Sequence, residues 1–352
     1  MKILYGVPGE GMGHATRSKV IISHLLKKHD VKIVSSRRAF DFLNKNFPER
    51  AYKIEGFHIA YENGGVSFLK TLNETLKNGP KSLMENFSKY FEIVNEFMPD
   101  LIISDFESFS YYFGKYNKIP IISIDNMQVI DRCKLEIKIP SEEKMNYNVA
   151  KNIIKLKVPD CRNYLITSFF HPPIIKENTG FIPPILRDEI IQTQTSYSDH
   201  ILVYQTSTSQ GNLIKMLQEI PKEKFHVYGF NKEEKHGNVE LKPFSEDAFI
   251  NDLASAKAVI SNGGFSLISE AVYMKKPVCS YPISKQFEQF VNAAYIDFLK
   301  YGKHLNVFSS EGIKAFLYDL DFYRENINKY SQDGNNETLK KLEEIIEGIE
   351  NK

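Results

Sequence analysis

The sequence predicts an α/β protein made of two successive βαβ domains, and three observations carry that prediction. Short apolar runs alternate with segments of helical spacing along the chain. Each half sets a glycine-rich loop between an apolar run and a helical segment. Between the halves, a stretch dense in proline breaks the alternation. Parallel sheets wrapped by helices read this way because their strands are buried on both faces.

The runs at 3–5, 31–34, 101–104, 121–124 and 164–167 predict five buried strands in the first half. Segments between them carry helical periodicity, as in Val20, Ile21, His24, Leu25 and Leu26. Next come Pro172, Pro173, Pro183 and Pro184, four of the fifteen prolines, with Gly180 among them. Proline donates no ladder hydrogen bond, so 171–188 reads as a hinge. Strands resume at 201–204, 225–228, 258–260 and 277–280. A charged amphipathic helix closes the chain, with Leu339, Leu342, Ile345, Ile346 and Ile349 on one stripe. The expected domains are therefore 1–170 and 189–335, with the helix in 336–352 free to pack back on the first. Such sheets bind ligands at the carboxyl ends of their strands, so the expected site is a cleft between two facing domains.

A length of 352 residues suits two domains of average size. Lys+Arg 45 against Asp+Glu 44 leaves a net charge of +1, which argues against a nucleic-acid partner needing a basic face. Cys133, Cys161 and Cys279 form no CxxC pair, which fits a reducing compartment and excludes a disulfide framework. The histidines show no HxxxH pair, so no zinc site is expected. The opening residues lack a secretory h-region, and no segment approaches the ~20 apolar residues of a membrane span. A cytoplasmic protein is expected.

The first loop holds Gly9, Gly11, Met12, Gly13, His14 and Arg17 before a helix. A dinucleotide fingerprint fails on spacing, because His14 or Thr16 stands where the third glycine is needed. Ser35, Ser36, Arg37 and Arg38 would suit a 2′-phosphate, the one feature favouring an NADP enzyme. His14 opens a helix on the ligand side, where the positive helix end favours the neutral imidazole that a general base needs. A plain turn-capping histidine is the competing reading. Asp105 ends a buried strand and should emerge at the same sheet edge. There it either orients the imidazole, as in a catalytic dyad, or caps the helix beginning near Glu107. Spacing alone leaves these two equal.

The second loop, Asn262-Gly263-Gly264, follows a strand and opens a helix, the geometry that cradles a phosphate. Glu270 lies six residues past Gly264, within reach of a ribose diol, and is otherwise a solvated glutamate. Glu288 and Gln289 at a later helix start are placed for sugar hydroxyls. Ser207 and Thr208, between a strand and a helix, are a further phosphate contact or an ordinary N-cap run.

Together these residues resemble a glycosyltransferase of the GT-B fold along nearly the whole chain. Asn262-Gly263-Gly264 through Glu270, then Pro277-Val278 and Glu288-Gln289-x-x-Asn292-Ala293, resemble the donor signature of UDP-sugar transferases. Those families include the family 28-like N-acetylglucosaminyltransferases of lipid II synthesis and the UDP-glucuronosyltransferases. Gly11-Met12-Gly13-His14 resembles their acceptor-side loop. The resemblance implies two Rossmann-like domains, a UDP-sugar donor, a hexosyl- or N-acetylhexosaminyl-transfer, and no metal or other cofactor. It implies His14 as base with Asp105 as its partner, Gly263 and Gly264 on the diphosphate, and inversion at the anomeric carbon. The backbone near Phe244 is implied at the base, since the chain has no tryptophan to stack there. Glu288 stands where an aspartate is usual, so the donor sugar does not carry over. Closing the proline hinge would exclude water.

The pattern Gly11-x-Gly13-His14-x-x-Arg17 also resembles a UDP-sugar hydrolase of the same fold, in which water is the acceptor. A UDP-sugar 2-epimerase and a silent nucleotide-sugar-binding protein complete the alternatives. Residues 57–97 read as helical and rich in Phe, Leu and Lys (Phe68, Leu69, Lys70, Leu72, Leu76 and Lys77 among them). They are either a packed helical hairpin or a surface for a lipid-linked acceptor, with peripheral contact at the inner membrane face.

Overall fold

The computed structural model describes residues 1–9, 11–54, 61–62, 65–66, 88–89, 91–93, 96–205 and 210–351. The chain forms two compact units, Met1–Ile185 with Asn335–Lys352, and Leu186–Gly334.

Strands β1 (Lys2–Val7), β2 (Asp30–Ser35), β3 (Ala51–Lys53), β6 (Leu101–Ser104), β7 (Ile121–Asp125), β8 (Asn163–Thr167) and β9 (Thr179–Ile182) form the first sheet. Its order is β3-β2-β1-β6-β7-β8-β9, and every pairing is parallel. The apolar runs fall in this sheet because both of its faces are covered. Ile3, Tyr5 and Val7 of β1 meet Ile21, Ile22 and Leu25 of the helix Met12–Leu25 in one core. Leu342 and Ile346 of the final helix, Asn336–Glu350, join that core. Each such buried side chain is worth about 1.5–3 kcal/mol over its exposed state. His24 Nε2 and Lys28 Nζ both reach Glu343 at 2.9 Å, and Lys341 donates to the Phe181 carbonyl at 2.9 Å, pinning this helix on the first unit.

Two expectations for this unit need correction. The segment read as hinge contains β9, which pairs with β8 in the register Tyr164↔Thr179 to Thr167↔Ile182. The prolines flank this strand and it lies at the sheet edge, so none of them removes a bond from the ladder. Within 57–97, expected to be helical, β4 (Tyr61–Glu62) and β5 (Gly65–Val66) form a two-stranded antiparallel piece, and helix is present at 88–89, 91–93 and 96. Phe68, Leu69, Lys70, Leu72, Leu76, Lys77, Lys81, Leu83, Met84 and Phe87 lie outside the described residues. Among the described residues, no helix is long and apolar enough to cross a membrane.

The second unit holds β10 (His200–Tyr204), β11 (Lys224–Tyr228), β12 (Glu234–His236), β13 (Val239–Leu241), β14 (Ala258–Ser261), β15 (Val278–Ser280) and β16 (Gly302–His304). The order is β12-β13-β11-β10-β14-β15-β16, parallel except for the outer β12–β13 pair. In each sheet the order reverses beside the first strand, between β1 and β6 and between β10 and β14. Loops leaving the strands at such a switch point diverge and leave room for a ligand. Both predicted loops stand there: His14 and Asp105 follow β1 and β6, and Asn262–Gly264 follows β14.

Candidate functional site

In the first unit the chain leaves β1 and turns at Gly11, whose φ of +85° belongs to the region that favours glycine. Gly11 is the N-cap of the helix Met12–Leu25, with Met12 and Gly13 in the first turn. The half-buried His14 lies on this turn and the buried Arg17 and Ser18 lie below it. Asp105 is 1% exposed, and its amide extends the β1–β6 pairing by donating to the Gly6 carbonyl at 2.9 Å. Phe106 follows at φ +58°, a left-handed turn costly for a bulky residue. Glu107, not Asp105, caps the next helix, accepting from the Phe109 and Ser110 amides at 2.8 and 2.7 Å.

The Asp105 carboxylate is thereby left to the first helix. Its Oδ1 lies 2.9 Å from His14 Nδ1, Arg17 Nε donates to Oδ2 at 2.8 Å, and Ser18 Oγ donates to Oδ2 at 3.1 Å. Arg17 Nη2 lies 2.5 Å from Oδ1 and 2.8 Å from His14 Nδ1, and Nη1 donates to Asn126 Oδ1 at 3.0 Å. Burial alone would raise the Asp105 carboxyl, but the Arg17 charge, then His14, outweigh it and hold the group well below the usual carboxylate range. In the tautomer that carries its proton on Nδ1, His14 donates to the anionic Asp105 and keeps its lone pair on Nε2.

In the second unit, Asn262 Nδ2 donates to Gln205 Oε1 at 2.7 Å, tying the ends of β10 and β14 together across the switch point. Gly263 sits at φ +93°, its carbonyl accepts from Asn292 Nδ2 at 3.0 Å, and a Cβ there would lie 2.7 Å from the Gln289 carbonyl. Gly264 is the N-cap of the helix Phe265–Tyr273, and a Cβ built on it meets nothing within 4 Å. The loop thus opens a helix beside unfilled space at Gly264, an arrangement suited to an anion.

The remaining predicted residues fall as follows. Gln289 accepts from the Ile283 amide at 2.9 Å and donates to Gln286 Oε1 at 2.6 Å, while Glu288 occupies the first turn of the helix Phe287–Phe298. Phe244 is 60% exposed, stands 6.1 Å from the Phe249 ring, and its amide donates to Asn231 Oδ1 at 3.2 Å. Glu270 is no solvated glutamate. It is buried, and Arg187 donates to both of its oxygens at 2.8 Å. Burial raises its carboxyl and the Arg187 charge opposes that rise. Ser207 and Thr208 lie outside the described residues.

Sequence reasoning missed Asn126 and Arg187. Asn126 directly follows the strand next to β6, so sheet order would have pointed to it; Arg187 carries no local signal. Among the described residues, one group of His, Cys, Asp and Glu is close enough to hold a metal ion: His200, His226 and Asp252. That carboxylate already carries the Lys242 ammonium at 2.7 Å.

Residues 1–321 match the model of a family described as Glycosyl transferase family 1. Two proteins of Methanosarcina mazei, each named an uncharacterized glycosyltransferase, are 25% identical to the chain. One match runs over 357 residues, 87% of this chain and 86% of that protein. The other runs over 385 residues, covering 99% and 96%. Among solved structures, Phytolacca americana UGT2 complexed with UDP-2fluoro-glucose and pterostilbene gives a TM-score of 0.67 at 13% identity, covering 99% of this chain and 100% of that one. The calicheamicin glycosyltransferase CalG4 gives 0.65 at 16% identity, covering 97% of each chain. At such identities the likeness is one of fold, and that fold is the α/β, two-domain GT-B type.

Proposed function

The chain belongs to glycosyl transferase family 1 and is a glycosyltransferase, and on that premise we propose that it transfers a sugar from a UDP-sugar to an acceptor hydroxyl with inversion. The observation that carries the reading is the 2.9 Å contact of His14 Nδ1 with Asp105 at the first switch point. His14 Nε2 takes the proton of the acceptor hydroxyl. The acceptor oxygen then bonds to the anomeric carbon from the face opposite the nucleotide, and the bond from that carbon to the diphosphate oxygen breaks with both electrons leaving on UDP. Attack on the opposite face is what makes the outcome inversion.

The leaving diphosphate is assigned to the amides that open the helix at Gly264, where the positive helix end takes up the developing charge. This is the task a metal performs in other sites, and the proposed reaction uses none. UDP as the nucleotide is supported by the UDP-2fluoro-glucose bound in the Phytolacca americana protein. Glu270, held by Arg187, is the proposed ribose contact.

A panel of nucleotide-sugars followed by mass spectrometry, with and without lipid extract, tests the reading. Mass transferred to an acceptor from a UDP-sugar is the expected result. Release of free sugar alone would replace transfer by hydrolysis, and stabilisation by dTDP or GDP but not by UDP would overturn the donor.

A further inference from the structure

A base held by a buried carboxylate faces a conflict. An anion 2.9 Å from an imidazole favours the imidazolium, which has no lone pair left for a substrate proton. Removing the anion would lose the orientation. The buried Arg17 stands where the conflict arises, with every guanidinium nitrogen inside the cluster. Nε is on Asp105 Oδ2 at 2.8 Å, Nη1 on Asn126 Oδ1 at 3.0 Å, and Nη2 lies 2.5 Å from Asp105 Oδ1.

We propose that Arg17 is a positioning residue: it screens the Asp105 charge from His14, so that Asp105 orients the imidazole without protonating it. The inference rests on His14 being the base. With His14 neutral, Asp105 and Arg17 sum to zero, and a proton added to His14 leaves an uncompensated positive charge in a buried cluster. Without Arg17, the same proton would neutralise a buried anion. The guanidinium therefore moves the preference toward the neutral ring.

Geometry supports this reading over a merely structural one. Nη2, His14 Nδ1 and Asp105 Oδ1 form a triangle with sides of 2.5, 2.8 and 2.9 Å. One nitrogen cannot point two hydrogens straight at both other corners of so tight a triangle. The shorter side runs to the carboxylate, which leaves Nδ1–H free to donate to the same oxygen. Asn126 on Nη1 fixes the guanidinium in that plane. Among the described residues, the other titratable groups that feel the Asp105 and Arg17 charges are Tyr5 on β1 and Asp125 at the end of β7. Burial, then the Asp105 charge, pushes the Tyr5 hydroxyl far up, so it stays neutral. Asp125 is held up to about 6, by burial first, and adds negative charge only above that pH.

The test is the NMR titration of the His14 ring in the full chain, its signal assigned by its loss in His14→Ala. Turnover is measured alongside as UDP release from the donor found by the nucleotide-sugar panel. Arg17→Gln should raise the His14 midpoint by about one pH unit or more, and Asp105→Asn should lower it. The double variant should fall between the two. If Arg17→Gln does not fold, Asp105→Asn against the double variant, two proteins that differ only in the Arg17 charge, isolates the same effect. Equal midpoints in that pair, or a midpoint unmoved in Arg17→Gln, overturn the inference. If the midpoints move as expected while His14→Ala turns over like wild type, the screening stands and the base assignment falls.

Discussion

Arg187 grips Glu270 with two parallel hydrogen bonds, Nε to Oε1 and Nη2 to Oε2, each 2.8 Å long. Its remaining nitrogen, Nη1, reaches Glu246 Oε1 at 2.8 Å. The carboxylate proposed for the ribose is thus fixed in direction before any ligand arrives, and the fork geometry is one that arginine alone provides.

The two halves of this pair should not cost the same to remove. Arg187→Ala leaves the buried Glu270 without its cation, for which about 3–5 kcal/mol is expected. Glu270→Ala leaves Arg187 still paired with Glu246, so the loss should be smaller. Glu246 is 48% exposed, and Glu246→Ala should cost no more than about 1 kcal/mol. Urea unfolding of the three variants checks the order, and equal losses would show that Glu270 finds other partners.

Gly263 and Gly264 should separate folding from binding. Gly263→Ala puts a Cβ 2.7 Å from the Gln289 carbonyl in a backbone at φ +93°, so the unliganded protein should melt lower. Gly264→Val sets its Cβ in open space at an ordinary φ of −63°, so its cost should be limited to a weaker N-cap, about 1 kcal/mol. If the diphosphate docks at these amides, the new side chain fills its place and the rise in Tm with UDP disappears. A Gly264→Val protein that UDP still stabilises would move the donor elsewhere.

How far these features could be read in advance depends on how local their cause is. The buried strands were legible because a strand covered on both faces reads as a nearly unbroken apolar run, as Leu101, Ile102 and Ile103 do in Leu101–Ser104. Edge strands lack that pressure: Glu234–His236 and Gly302–His304 hold no apolar run, and Thr179–Ile182 was hidden by the prolines that bound it. His14 and Asp105 could be singled out because each follows a β-strand at one sheet edge. Their setting could not, since Arg17 meets Asn126 across 109 residues and Arg187 meets Glu270 across 83. Such pairs exist only once the sheet order has brought the loops together.

His14→Ala should lower kcat by the ~10²–10⁴ typical of removing a general base. His14 is partly exposed, and Asp105 keeps Arg17 and Ser18 when the ring is removed, so the melting temperature should change little. The shift with UDP should persist, because the donor loop lies in the other unit. Unchanged turnover would remove His14 from the reaction.

Asp125 offers a pH test independent of catalysis. Burial first, and the nearby Asp105 charge after it, hold this carboxyl up to about 6 against an ordinary value of 3.8, despite bonds from Ser123 Oγ at 2.7 Å and the Gln128 amide at 2.9 Å. Between pH 4 and pH 6 the folded state therefore binds more protons at this site than the unfolded state. Stability must fall as pH rises through that window, and the deficit remains above it. A gap of about two pH units corresponds to at most about 3 kcal/mol. Asp125→Asn keeps an oxygen for the Gln128 amide and offers its own N–H to the Ser123 hydroxyl, so it removes the charge without removing the bonds. The variant should match wild type near pH 4 and exceed it by about 1–3 kcal/mol at pH 7.5, read from urea unfolding at a series of pH values. A variant that instead loses stability as pH rises would mean that Arg17 and the two hydrogen bonds favour the charged carboxylate by more than burial disfavours it.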